Sequence, residues 1–193
     1  MEGHNRPFRL VVGISGASGT VYGVRLLEVL RKMNVETHLI LTEAAKRVAE
    51  LETDYSPEAI ERLATRAYLD SDIAAPIASG SYLTDGMVVA PCSIKSLSAI
   101  ANSLGSTLLT RAADVTLKER RRLVLVVRET PLHVGHLKLA QLAAENGATI
   151  FPPVPSFYQR PKSIDDLVDQ TVGRILDQLG LTSDLCRRWQ SPD

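Results

Sequence analysis

The chain has 193 residues, 45% of them apolar, and 22 basic residues balance 22 acidic ones to a formal net charge of zero. A chain of this length buries roughly two-thirds of its unfolded surface, which argues for a single domain over residues 1–193. Zero net charge excludes a nucleic-acid binder driven by a global positive field, and no apolar run reaches the length of a membrane span.

The opening MEGHNRP (1–7) is polar, is expected to fray, and carries no signal-peptide pattern. FRLVVGIS (8–15) predicts a buried strand, and TVYGVRLLEVLRKM (20–33) a helix, with Val24, Leu27 and Leu30 at helical spacing. ETHLILT (36–42) predicts a second strand, and EAAKRVAELE (43–52) a helix. SPEAIERLATRAYL (56–69) predicts a helix opened by a Ser N-cap and a Pro in its first position. GMVVAPCS (86–93) is a third strand, leading into a helix around IKSLSAIANSL. RLVLVVRET (122–130) is a fourth strand, and LHVGHLKLAQLAAENG a helix with Gly147 just past its end. ATIFPP (148–153) is a fifth strand, and SIDDLVDQTVGRILDQLG a closing amphipathic helix ending on Gly180.

Five strands, each apolar on both faces and separated by helices, predict an α/β fold. It is a three-layer, doubly wound, mostly parallel sheet of the Rossmann or flavodoxin-like kind. Such sheets bind ligands beyond the carboxyl ends of their strands, where the strand order reverses. The sequence places Ser15 to Gly19, Thr42, Pro91 to Ser96, Arg128 to Thr130 and the loop PPVPSFYQRP (152–161) at those ends.

GISGASG (13–19) follows a strand and opens a helix, as a phosphate loop does, but its spacing is not the dinucleotide fingerprint. Its glycines let backbone N–H groups approach an anion, and Ser15 and Ser18 add hydroxyl donors. No acid closes the second strand to grip a ribose; Thr42 stands there instead. That disfavours a dinucleotide and favours a mononucleotide phosphate such as that of FMN, against a bare strand–helix turn as the alternative. PCSIKSLS (91–98) is a second hydroxyl-rich turn. Cys92 within it has no obvious histidine partner and reads as a buried structural cysteine. Arg128 and Glu129 end an apolar strand and are expected to be partly desolvated, where an arginine suits phosphate and a carboxylate suits proton transfer. LKERRRL (117–123) reads as a solvated cationic face, and His133 with His136 as a surface pair at a helix start rather than a metal site. Glu52, Tyr158 and Arg174 carry no role by pattern alone. Cys92 and Cys186 are too few for a disulfide framework and fit a reducing, cytoplasmic setting.

GISGASG, LETD, PCSIKSLS, RAADVTLKERR, LVVRETPLH and PPVPSFYQRP occur in that order. Together they resemble the flavin prenyltransferase family, of UbiX and Pad types, over residues 8 to 189. The resemblance implies transfer of a dimethylallyl unit from dimethylallyl phosphate to N5 and C6 of reduced FMN without a metal. The product serves as cofactor for a partner decarboxylase, in ubiquinone synthesis or aromatic-acid decarboxylation. By position, it implies FMN binding by Gly16, Ala17, Ser18, Thr42, Ser93, Ile94, Lys95, Ser96 and Arg128. It implies a grip on the allylic phosphate by Lys118, Tyr158 and Arg174, with Arg111 nearby. Ser18, Glu52 and Glu129, with Lys118, surround the reacting atoms, and Glu129 is the expected base. It also implies a homo-oligomer, a dodecamer with sites at subunit junctions, to which Tyr158 and Arg174 come from another subunit than the GISGASG loop. Two other readings stand beside it, an FMN-dependent cysteine decarboxylase and a non-catalytic FMN carrier.

Overall fold

The structure, a computed structural model, describes residues 6–186. Six strands form one parallel sheet in the order β3-β2-β1-β4-β5-β6. They are β1 (Arg9–Ile14), β2 (Glu36–Leu41), β3 (Arg66–Tyr68), β4 (Gly86–Cys92), β5 (Arg122–Val127) and β6 (Thr149–Ile150). Helices α1 (Thr20–Lys32), α2 (Glu43–Glu52), α3 (Pro57–Glu61) and α7 (Ile164–Leu179) cover one face; α4 (Ile94–Ala101), α5 (Leu108–Lys118) and α6 (Val134–Glu145) cover the other.

The two cores follow from the alternation of side chains along each strand. Leu10, Val12 and Ile14 of β1, Val88 and Ala90 of β4, and Val124 and Val126 of β5 join the α1/α7 core. Val11, Met87, Val89, Leu123, Leu125 and Val127 join the α4/α5/α6 core. Strands sandwiched between two helical layers must be apolar at every position, which is why they read as continuous runs.

Three expectations are corrected. The helix expected over 56–69 stops after Glu61, and Arg66–Tyr68 form a sixth strand at the sheet edge, pairing with His38, Leu39 and Ile40. The strand expected over 148–153 is only Thr149–Ile150, because the prolines at 152 and 153 cannot donate to a ladder. Residues 105–118, assigned no element by pattern, hold α5, opened by a capping box between Thr107 and Thr110. The frayed segment expected over 1–7 lies outside the described residues as far as residue 5. Arg6 is anchored by two hydrogen bonds to Asp85, of 2.7 and 2.8 Å. Ser56 and Pro57 start α3, and Gly147 and Gly180 close α6 and α7 with positive φ, as expected.

Strand β3 is held by a buried polar cluster. The wholly buried His38 ring lies 3.0 Å by Nε2 from Glu36 Oε1 and 2.9 Å by Nδ1 from the Tyr68 hydroxyl, with the Tyr82 hydroxyl 3.2 Å from Nε2. A carboxylate only accepts, so Nε2 donates to Glu36 and Nδ1 accepts from Tyr68. Burial lowers the His38 pKa, with Arg9 and Arg66 adding to the effect and Glu36 opposing it. The folded state therefore keeps His38 neutral, while the unfolded chain takes up a proton near the ordinary value of about 6.5. Stability is complete above that pH and falls as pH drops through it. Glu36, held below the usual carboxylate range by its hydrogen bond from Arg9, adds a loss of the same sign at lower pH. His38→Gln is expected to flatten the fall in melting temperature between pH 7 and pH 5; an unchanged slope would exclude His38 as its source.

Candidate active site

The sheet reverses its order between β1 and β4: β1 leads through α1 to β2 on one side, and β4 leads through α4 and α5 to β5 on the other. The chain segments leaving the two strands therefore diverge and open a crevice at their carboxyl ends. A cleft of about 450 Å³ occupies it, within the range of roughly 300–1,000 Å³ typical of ligand sites. Gly16, Thr42, Ser93, Ile94, Lys95, Ser96 and Glu129 of the expected site residues line it.

Local sequence explains each placement. Thr42 caps α2, accepting from the Ala45 N–H, and Ser93 caps α4, accepting from the Ser96 N–H. The Ser93 and Ser96 hydroxyls lie 3.2 Å apart, so the start of α4 presents a short row of hydroxyls beside the exposed Lys95. Gly16 is required by close approach, since a Cβ there would sit 2.4 Å from the Ala44 Cβ.

A second group sits at the start of α1. The helix has no side-chain cap of its own. Instead, Glu52 Oε2 at the end of α2 accepts from the N–H groups of Gly19 at 2.8 Å and Thr20 at 3.3 Å. Burial raises the Glu52 pKa, but the hydrogen bonds from Ser18, Gly19 and Thr20, with the Arg128 charge, outweigh it and hold the carboxyl below its ordinary value. Ser18, Glu52 and Arg128 thus form one cluster, which periodicity alone could not find because Glu52 lies 33 residues from Gly19.

Two expectations at the site change. The Ser15 hydroxyl is not free for a ligand, being engaged by Pro91 and Ser93. Arg128 and Glu129, expected to be partly desolvated, are exposed in this single chain because β5 ends at Val127. Glu129 accepts from the Thr130 N–H at 3.0 Å.

The remaining expected residues lie apart from the cleft. Arg111 and Lys118 stand two turns apart on α5, and Lys118 is about 12 Å along the axis from cleft-lining Thr110. Arg111 donates to the Ala78 carbonyl and pairs with Asp114, and Lys118 pairs with Glu119. Tyr158 is exposed on a 3-10 turn after β6, and Arg174 pairs with Asp177 on α7 at 2.9 Å. Residues missed by sequence reading also line the cleft: Glu43, Asp70, Thr107 and Thr110. Asp70 caps the start of α5 through Leu109 N at 2.9 Å; the Thr-x-x-Thr capping pattern at 107–110 was the available signal.

Cys92 is fully buried, and burial pushes its thiol up to about 12, too high for a thiolate nucleophile at neutral pH. Cys92→Ala is expected to keep activity within a few-fold, and a thiol reagent should leave Cys92 unlabelled in the native protein; rapid inactivation by labelling at Cys92 would contradict this. His133 caps α6 through the Gly135 N–H and lies against His136, with ring centroids 3.6 Å apart and the rings tilted by 36°.

Residues 1–176 match the family model described as Flavoprotein. The flavin prenyltransferase UbiX of Escherichia coli (strain K12) is 60% identical over 185 residues, covering 94% of this chain and 98% of that protein. The crystal structure of AnUbiX in complex with FMN and dimethylallyl pyrophosphate superposes with a TM-score of 0.96 at 47% identity, covering 97% of this chain and all of that one. The dodecameric FMN-dependent UbiX-like decarboxylase from Escherichia coli O157:H7 gives 0.93 at 48%, covering 95% of this chain and all of that one.

Proposed function

The chain belongs to the flavin prenyltransferase family, and from that premise we propose that it transfers a dimethylallyl group from dimethylallyl phosphate to N5 and C6 of reduced FMN, releasing phosphate. The observation that carries this reading is the hydroxyl-lined cleft at the β1/β4 reversal with the Glu129 carboxylate at its edge. The residues present fit FMN. Thr20 Oγ1 is a buried hydroxyl without a hydrogen-bond partner among the described residues, directly after a glycine- and serine-bearing loop, and the surrounding donors are hydroxyls, backbone N–H groups and the cations Lys95 and Arg128. Gly16, Ala17, Ser18, Thr42, Ser93, Ile94, Lys95, Ser96 and Arg128 would hold it. Reduced flavin supplies the electron-rich ring that accepts the allyl group.

The protein's own part is electrostatic and positional. Breaking an allylic C–O bond leaves extra negative charge on phosphate, which Lys118, Arg174 and Arg111, with the Tyr158 hydroxyl, stabilise; each such preorganised donor is worth about 3 kcal/mol in a dry site. Ring closure at C6 releases a proton. Glu129 takes it, because it lines the cleft, where its carboxylate accepts from its neighbour's N–H. Glu52 is committed to Ser18, Gly19 and Thr20, so it positions the loop. Lys118, Tyr158 and Arg174 reach the cleft from neighbouring subunits of a dodecamer. The product passes to a decarboxylase that uses the modified flavin. Two unpaired buried cysteines support a cytoplasmic setting.

The test is anaerobic incubation of the protein with reduced FMN and either dimethylallyl phosphate or the pyrophosphate, followed by mass spectrometry. Flavin heavier by one isoprene unit is expected with the monophosphate; its absence with both donors would overturn the transferase and leave the carrier and cysteine decarboxylase readings. Glu129→Gln is expected to slow formation by about 10²-fold, the lower end for a lost general base; a wild-type rate would remove Glu129 from that role.

A further inference from the structure

The buried Ser15 hydroxyl is used by neither the fold's regular hydrogen bonds nor the chemistry proposed above. Ser15 follows the last residue of β1 and is 1% exposed. Its Oγ donates to the Pro91 carbonyl at 3.0 Å and accepts from the Ser93 N–H at 2.8 Å. Its own N–H also reaches the Pro91 carbonyl, at 3.1 Å.

The need for this arrangement comes from Pro91. It lies in β4, a central strand, where it has no N–H to give. The β1–β4 register ends at the Gly13–Val89 pair, and the β4–β5 register shifts between Val89 and Cys92. Past that point the β1–β4 register gives way to the Ser15 N–H bond to the Pro91 carbonyl, and this is where the two segments must diverge at a fixed spacing to form the crevice. Beside that backbone bond, the Ser15 hydroxyl adds a side-chain link that reaches one step further, to the Ser93 N–H. Because its hydroxyl both donates and accepts, its rotor is fixed.

Ser93, the group it holds, is the N-cap of α4, and Ser93 and Ser96 line the cleft opposite Gly16. We infer that Ser15 is a positioning residue for the flavin: its hydroxyl ties the Gly16–Gly19 loop to the start of α4 and so sets the width of the crevice into which FMN binds. Removing it leaves the partly buried Ser93 N–H without its acceptor, and that cost is relieved by a shift of α4 relative to the loop. The inference rests on the proposed flavin site.

Apo wild type, Ser15→Ala and Ser15→Thr are titrated with FMN by flavin fluorescence, with the absorbance of bound flavin, the apo melting temperature and the KM for dimethylallyl phosphate recorded. Ser15→Ala is expected to raise the FMN Kd about tenfold, as one buried unpaired N–H would, to shift the bound-flavin absorbance, and to leave the KM for dimethylallyl phosphate within about twofold. Ser15→Thr, which keeps the hydroxyl, restores most of the affinity and the spectrum. A wild-type Kd and spectrum in Ser15→Ala, even with a lowered melting temperature, overturns the inference and shows a purely structural serine. A Thr variant no better than Ala overturns the role of the hydroxyl. Failure of wild type to bind FMN instead overturns the proposed function itself.

Discussion

Lys118→Ala is expected to lower kcat by about 10²- to 10³-fold, the loss typical of removing one preorganised charge-stabilising donor, while FMN affinity stays near wild type. The separation of the two effects follows from the fold. Lys118 closes α5, pairs with Glu119 and lies beside Gly80, in the segment leading into the amino end of β4. The cleft opens at the other end of the same helix, around Thr107 and Thr110. A side chain anchored about 12 Å along a rigid helix from the cleft is far from the cleft of its own chain, and on the proposed function a neighbouring copy brings it there. This gives the prediction a second arm. Lys118→Ala and Glu129→Gln, each nearly inactive, are unfolded, mixed in equal amounts and reassembled. Sites that combine an intact cleft from one protomer with an intact Lys118 from another then form, and activity returns to about a quarter of wild type for random closed assembly. No recovery after reassembly to the native size would show that both residues act from one chain.

Gly23→Ala is expected to lower the melting temperature by about 2–12 °C, from an overpacking cost of about 1–3 kcal/mol. Gly23 lies inside α1, where alanine would ordinarily be favoured by about 1 kcal/mol. A Cβ there, however, would sit 2.3 Å from the Ala90 carbonyl oxygen and 2.7 Å from Ile14 Cδ1. Both neighbours belong to the strands that frame the crevice, and Ala90 precedes the Pro91 that Ser15 holds. A backbone carbonyl cannot swing aside as a flexible side chain can, so α1 must move off the sheet, and FMN affinity should fall with stability. Gly105→Ala is the contrast: its Cβ would meet nothing closer than 3.6 Å, and its melting temperature should change by less than about 2 °C. Equal behaviour of the two variants in a thermal melt would refute the steric argument.

The layered α/β architecture was readable because strands buried on both faces must be apolar throughout, and helices between them must show one apolar stripe. Caps at Ser56, Gly147 and Gly180 were readable because each meets a local backbone demand. Strand β3 was not. Arg66, Ala67 and Tyr68 have little apolar content and continue a helical pattern, and only pairing with β2 and the contact of Tyr68 with His38 make them a strand. The helix α5 escaped notice for a related reason: its apolar residues Leu108, Leu109, Ala112, Ala113 and Val115 are broken by polar ones that cap its start or face out.

At the site, the sequence by itself determined which segments end at the crevice, since a loop that follows a buried strand in a doubly wound sheet has nowhere else to go. It also determined the chemistry on offer there: hydroxyls at 93 and 96, a glycine at 16 and a carboxylate at 129. Only the tertiary structure decided which of these groups are free. Ser15 is consumed by Pro91 and Ser93, Glu52 by the start of α1, and Lys118 is carried to the far end of α5. Hydrogen-bond partners 33 to 78 residues apart leave no periodic trace, because local spacing records what a residue's own helix or strand requires, whereas the partner that uses up a donor or an acceptor is chosen by packing.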